Sequence, residues 1–250
     1  MQIIAISNQK GGVGKTTSAL NLGAGLAELG RRVLLIDLDP QSSLTLATTG
    51  DRAGFSMAEV LGNVQPGTLP ITDIIREYKP GLLIAPADIA LSVSELGLIT
   101  RHGRENVLRR SLDDLTGFDY CLIDCGPSLG LLVVNALTAA KYVIAPTLPT
   151  ALDLRGLKLF LDSVDIVKKN LNPELQLMGI IICQYQERLK LHQAAMRDLE
   201  HSRQNILGVV NRSVQAAVSI GSGEPLTGGI LAEQYKNIAV KVDQWQKNQQ

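Results

Sequence analysis

Aromatic residues are scarce in this sequence: one Trp, five Tyr and three Phe make up 4% of its 250 residues. A core with so few rings must be built from aliphatic side chains, and the apolar fraction of 45% supplies them. Cysteine is rarer still. Cys121, Cys125 and Cys183 form no C-x-x-C pair, which excludes a disulfide scaffold and suits small core residues of a reducing compartment. Neither sign of charge is in excess, because 24 basic residues balance 24 acidic ones. The balance is close to even along the chain: residues 1–150 hold 12 basic and 14 acidic residues, and 151–250 hold 12 and 10. Bulk charge therefore advertises no polyanionic partner, and a nucleic-acid site would have to be a local patch, on one copy or completed when two copies combine. No apolar run approaches the roughly 18 residues that cross a bilayer. The first apolar run starts at Ile3, so no leader peptide is expected and the chain is placed in the cytoplasm.

What the sequence has in abundance is alternation. Apolar, β-branched runs at Ile3–Ser7, Val33–Asp37, Leu82–Ala85, Tyr120–Asp124, Tyr142–Pro146, Leu177–Cys183 and Ile206–Val210 read as strands. Between them lie helical patterns over Thr16–Leu29, Arg104–Leu115, Leu129–Ala139, Leu154–Asn170 and Leu189–His201, and Gly228–Trp245 closes the series. The stretch from Gly50 to Pro80 is punctuated by Gly and Pro and reads as connection. Unbroken apolar strands imply burial on both faces and hence a mostly parallel sheet. The expectation is a doubly wound, three-layer α/β/α fold in which residues 1–250 form a single domain.

The most informative segment is Lys10-Gly11-Gly12-Val13-Gly14-Lys15-Thr16-Thr17, between the first strand and the first helix. Strand, glycine loop and helix is the context of a phosphate-binding P-loop. Glycines let backbone N–H groups turn toward phosphate oxygens, and the helix N-terminus adds its positive dipole end. Lys15 is placed to reach the β- and γ-phosphates, and Thr16 to ligate Mg²⁺. Lys10 is an extra lysine at the far end of the loop, badly placed to serve the same phosphates.

Such a loop needs acids at neighbouring strand ends to handle Mg²⁺ and water. Val33-Leu-Leu-Ile-Asp37-Leu-Asp39 places two carboxylates at the exit of the second strand, and Tyr120-Cys-Leu-Ile-Asp124 places one at a later exit. An apolar run ending in Asp is the Walker B arrangement. An Asp closing a strand also serves as a turn or cap residue, and for Asp124 alone the two readings are evenly matched. Beside an intact P-loop the functional reading gains.

Together with Leu122-Ile-Asp124-Cys-Gly-Pro127-Ser128-Leu129-Gly130 and the run from Asn135 to Pro146, these motifs make the chain similar to the ParA/MinD family of deviant Walker-A ATPases. The likeness covers nearly the whole chain, is strongest in the first third and loosens after about residue 180. The small ParA-type partition and positioning ATPases, McdA-like proteins included, are the branch it resembles most. The resemblance implies a homodimerising, Mg²⁺-dependent ATPase with ATP as its nucleotide. In that scheme Lys10 crosses to the partner's phosphates, and Lys15 binds β- and γ-phosphates. Thr17 assists at the α-phosphate, and Thr16, Asp37 and Asp124 serve the metal and its waters. Asp39 positions the attacking water. Non-specific DNA, a ParB-like or McdB-like adaptor and a nucleoid-associated location follow from the same likeness, as do nucleobase contacts near 183–186 and 211–213.

The departures are specific. Gly126 stands where relatives carry the first of two prolines, and Gln215 where many ParA proteins carry an arginine linked to DNA. Arg212 survives. Replacement contacts could come from Lys158, Lys168, Lys169, Arg188, Lys190, Arg197, Arg203, Lys236, Lys241 and Lys247, although each alone reads as a solvated charge. A membrane-surface ATPase of the MinD kind is the alternative, and it would end in a basic amphipathic helix. The segment from Val240 to Gln250 is instead polar, and its Ile238, Val242, Trp245 spacing suits a helix packed on its own domain. The three cysteines do not match the bridging use made of them in nitrogenase iron protein-like reductases, and nothing suggests the acceptor lid of a metabolic kinase.

Overall fold

The computed structural model describes residues 1–50, 54–62, 69–202 and 204–247. Its elements are β1 (Gln2–Ile6), α1 (Lys15–Glu28), β2 (Val33–Leu38), α2 (Ser43–Thr49), α3 (Met57–Leu61), β3 (Arg76–Lys79), β4 (Leu82–Ala85), α4 (Leu91–Leu98) and α5 (Val107–Leu112). There follow β5 (Tyr120–Cys125), α6 (Leu131–Ala139), β6 (Tyr142–Thr147), α7 (Ala151–Asn170), β7 (Gln176–Tyr185), α8 (Lys190–His201), β8 (Ile206–Asn211), α9 (Val214–Ser222) and α10 (Gly229–Lys247). The strands form one sheet in the order β3-β4-β2-β5-β1-β6-β7-β8. Every pairing is parallel except that of β3 with β4.

Alternation along each strand divides the core into two layers. Ile4, Ile6, Val33, Leu35, Tyr120 and Leu122 pack toward α1, α2 and α10. Ala5, Leu34, Ile36, Cys121 and Ile123 pack toward the layer containing α3 to α8. This is the expected three-layer arrangement, and it explains why the strands read as continuous apolar runs. The cysteines behave as predicted, each unpaired and buried.

Helix α1 holds the first layer together because two glycines let it sit unusually close to its neighbours. A Cβ on Gly23 would come within 2.8 Å of Leu35 Cδ2, and one on Gly25 within 2.9 Å of Ala239 Cβ on α10. The far end of α10 is fixed by a bidentate pair in which Arg31 Nε and Nη2 donate to Asp243 at 2.7 and 2.9 Å. The Tyr120 hydroxyl donates to the same carboxylate at 3.0 Å. Helix α10 also blunts the β8 edge: Lys241 Nζ donates to Leu207 O, and Gln234 Oε1 accepts from Asn211 N. The Ile238 and Val242 side chains are almost wholly buried against this layer.

The structure adds elements that periodicity did not reveal: the antiparallel edge strand β3 and the short helices α2, α3, α4 and α9. The helix expected over 104–115 is broken into a 3₁₀ turn, Arg104–Asn106, and the short α5. Tertiary bonds break it, because Asn135 on α6 donates to Arg104 O and accepts from Leu108 N. Helix α7 starts three residues earlier than Leu154, where the Thr150 hydroxyl accepts from Asp153 N.

The close α1–α10 contact yields a stability test. Gly25→Val should destabilise the fold by about 1–3 kcal/mol through overpacking, read as a lower urea midpoint at unchanged m-value. An unaltered midpoint would show that the two helices are free to separate.

Candidate functional site

The loop after β1 leaves the sheet under restraint. Ser7 N donates to Ile144 O at 3.1 Å and Asn8 Nδ2 to Pro146 O at 2.7 Å, while Asn8 Oδ1 accepts from Lys10 N. Gly12 and Gly14 then take φ of 72° and 94°, a left-handed backbone that side chains resist. Gly14 is also crowded: a Cβ there would lie 3.1 Å from Cys183 Sγ at the end of β7. The next residue of β7, Gln184, is itself left-handed at φ 56° and donates from Nε2 to Gly12 O. Val13 is fully buried, so the loop is anchored from below as well as from the side. Helix α1 begins at Lys15 with neither a side-chain cap nor an acid in its first turn. Its free first-turn N–H groups, with Gly11 to Gly14 before them, form a donor cradle for an anion.

Lys15 is buried, and its Nζ donates to Lys10 O at 2.9 Å, closing the loop on itself. Burial lowers the Lys15 pKa, and the nearby Asp124, Cys125 and Asp39 oppose that shift. Three carboxylates converge here. Parallel pairing sets Asp37 directly beside Asp124, and Ile6 beside Asp124 on the other side. Asp37 is fully buried and well supplied: Oδ1 accepts from Asp39 N, and Oδ2 from both the backbone N and hydroxyl of Thr45 at 2.8 and 2.7 Å. Desolvation still pushes its pKa up to about 6.

Asp124 is different. Its carboxylate is buried and neither oxygen has a hydrogen-bond partner. Its pKa is raised well above the carboxylate range by desolvation and then by Asp37; the Thr16 hydroxyl and Lys15 ease that only in part. An orphaned buried carboxylate beside a hydroxyl and a phosphate cradle suits a hard divalent cation. Among the described residues no group of three or more His, Cys, Asp or Glu makes a closed metal site. A cation would therefore depend on phosphate oxygens and water, which is how Mg²⁺ is usually held.

Asp39 is only partly buried; its Oδ1 accepts from Gln41 N at 2.9 Å. It lies against Gly126, where a Cβ would come within 3.4 Å of Asp39 Cγ. A Cβ at this departure from the family pattern would thus make only an ordinary van der Waals contact with the carboxylate. Lys10 takes no part in the cradle through its side chain, since its Nζ lies 2.6 Å from Asp153 Oδ1 on α7. Asp153 is buried and also bonds the Thr150 hydroxyl. Gln9 donates to Ser163 of the same helix.

Sequence reasoning missed Asp153, Thr45 and Gln184. The Thr150-x-x-Asp153 spacing is a capping signature that could have flagged the first; the other two carry no local signal. The segments 183–186 and 211–213 do meet, through Arg212 N donating to Tyr185 O. The described basic residues are divided between the two layers. Lys158, Lys168 and Lys169 lie on α7, and Lys190 and Arg197 on α8, just after Arg188; Lys236 and Lys241 lie on α10 in the opposite layer. Lys236 pairs with Glu28 and Lys241 is bonded to the β8 edge. Gln215 is exposed at the start of α9. Arg203 and the Lys247 side chain lie outside the described residues.

A P-loop opening the first helix of a parallel sheet, with carboxylates at adjacent strand ends, defines a P-loop NTPase. The AAA domain family matches residues 1–177. The chain is 36% identical to the sporulation initiation inhibitor protein Soj of Bacillus subtilis over 229 residues, 90% of each chain. It is 37% identical to the chromosome partitioning protein ParA of Caulobacter vibrioides over 233 residues, 90% of this chain and 86% of that one. A crystal structure named as cobyrinic acid a,c-diamide synthase from Mycobacterium smegmatis, with bound ATP analogue and magnesium, superposes with a TM-score of 0.85. It is 35% identical, across 100% of this chain and 97% of that one. The chain belongs to the ParA/MinD family of ATPases.

The orphaned carboxylate makes a prediction about stability. Between about pH 4 and the raised folded pKa values, the native state holds more protons than the unfolded chain, so stability of the ligand-free protein falls as pH rises through that window. Asp124→Asn should therefore stabilise the ligand-free, Mg²⁺-free protein at pH 7.5 by about 1–3 kcal/mol, with a smaller gain at pH 4.5. Equal gains at both values, or a loss at pH 7.5, would contradict the assigned burden of charge.

Proposed function

We propose that this chain is a Mg²⁺-dependent ATPase that dimerises on binding ATP, associates non-specifically with DNA and segregates or positions a cargo. It would act as a single P-loop domain in the cytoplasm, on the nucleoid. The observation that carries the reading is the division of labour between two lysines: Lys15 closes the cradle, while Lys10 engages α7 instead. A lysine at the loop's entrance makes sense if its target is the nucleotide of a second copy, reached once the bond to Asp153 opens.

In this reading the α1 N-terminus and residues 11–17 bind the phosphates, with Lys15 at the β- and γ-oxygens and Thr17 at the α-phosphate. Thr16 and Asp124 would hold Mg²⁺, which when bound would supply positive charge to neutralise the charge that develops on the phosphates. Asp37 keeps the second strand exit in place and supports the waters of the metal. Asp39 orients the attacking water. Hydrolysis is then a matter of positioning and electrostatics, and it stays slow until an adaptor completes the geometry.

Relatives named as chromosome partitioning proteins, at 37% identity, support DNA segregation with a ParB-like adaptor. A carboxysome cargo with a McdB-like adaptor remains the second form of the same reading. The McdA structures are 22–23% identical, a likeness of fold alone. Against the MinD-like alternative, α10 spends its apolar face on the core layer that contains α1.

Asp39→Ala should bind Mg-ATP normally, lose about 10²–10⁴ in turnover and accumulate as the ATP-bound dimer in light scattering. Wild-type turnover would remove Asp39 from the mechanism. Lys10→Ala should leave the monomer folded yet unable to dimerise with ATP. DNA retention should require ATP and fall linearly in log–log plots against salt; retention without nucleotide, or none at all, would refute the DNA-bound switch.

A further inference from the structure

Helix α4 is apolar on both sides. Its inner side, Leu91 and Leu98, is buried in the core, and Ser94 Oγ fastens it to α3 through Ala58 O at 2.9 Å. Its outer side is built the same way, but none of the described residues covers it. Ile89, Val93, Leu96 and Ile99 are 62, 53, 67 and 51% exposed, and Leu129 from the loop after β5 adds a fifth aliphatic at 39%. Spacings of four, three and three residues keep the helical four on one side. Single exposed leucines are ordinary, but a contiguous patch of this kind marks an interaction site.

The charges around the patch indicate what covers it. Between Ile89 and Thr100 the only charged residue is Glu95, and its carboxylate is already engaged: Oε1 accepts from Leu132 N at the start of α6. It lies over Gly130, where any Cβ would collide with it. The patch itself is therefore neutral. Its two ends are oppositely charged, with Asp88 at the N-terminal end and Arg101 at the C-terminal end, about 20 Å apart along a helical path. Turned over, the patch presents Arg101 opposite Asp88 and aliphatics opposite aliphatics. A face that complements itself in this way fits a two-fold axis.

We propose that the outer face of α4 is a self-association surface, packing antiparallel on α4 of a second copy, with Asp88 of each copy facing Arg101 of the other. This contact goes beyond the ATP-dependent pair described above and does not require it. It also has a route to the candidate site. Glu95 ties α4 to the α6 N-terminus, and the loop between that helix and Asp124 carries Gly126, whose Cβ position lies 3.4 Å from Asp39 Cγ. Pressure on α4 from a second copy is thus passed to the segment that follows Asp124 and runs beside Asp39.

The test uses full-length protein, whose native thiols are all buried. Val93→Cys, near the proposed axis, should be joined into a dimer by a short bismaleimide without nucleotide, whereas Glu174→Cys, exposed away from the patch, should not. Asp88→Arg or Arg101→Asp, each added to Val93→Cys, should lower the yield roughly fivefold, and the two together should restore it. A monomeric product from Val93→Cys would overturn the proposal, as would a double reversal no better than the single ones. Mg-ATP turnover on the same samples judges the ATPase reading separately, because cross-linking needs no nucleotide.

Discussion

Two carboxylates at the same level of adjacent parallel strands set the terms for the whole carboxyl end of this sheet. The register that pairs Asp37 with Asp124 follows from the apolar runs beneath them, which must match to fill both core layers. Burying two like charges side by side is unfavourable, and the chain answers the problem unequally. Asp37 receives three hydrogen bonds and becomes a structural anchor; Asp124 receives none and becomes an electrostatic demand that only a cation or a proton can meet. That asymmetry, more than the P-loop alone, makes the site specific for a metal-bound polyphosphate.

The anchoring of Asp37 extends outward. Thr45 holds Asp37 with its hydroxyl hydrogen while its oxygen accepts from Ala87 N, so α2 and the segment leading to α4 are placed by the same side chain. From α4 the chain of contacts continues through Glu95 to α6 and back to the loop after Asp124. The Thr45 hydroxyl and the Glu95 carboxylate thus link α2, α4 and α6 to the strand ends that carry the acids.

Much of this was legible in the sequence, for identifiable reasons. The parallel strands could be read because burial on both faces writes itself as an unbroken apolar run, and the P-loop because its backbone demands glycine at Gly12 and Gly14. Asp37, Asp39 and Asp124 could be found because strand exits are where such sheets put their chemistry. The edge strand β3 was not readable: Arg76-Glu-Tyr-Lys79 is half solvated, antiparallel and charged, as an exposed edge should be. The break between Arg104 and Leu112 was hidden because Asn135, which causes it, is 31 residues from one partner and 27 from the other. The local capping role of Asp153 was legible in its spacing from Thr150, but its bond to Lys10 was not, because it joins residues far apart in sequence.

The packing of α10 on α1 has a consequence for biosynthesis. Ser18, in the first turns of α1, meets the hydroxyl of Tyr235, 217 residues later, and Gly25 faces Ala239. A ribosome elongating this chain delivers the P-loop early, but the helix that backs it emerges only after all eight strands. Until then the side of α1 that carries Gly25 lacks its packing partner, so the helix that opens the P-loop is completed by a contact that forms late in the order of synthesis.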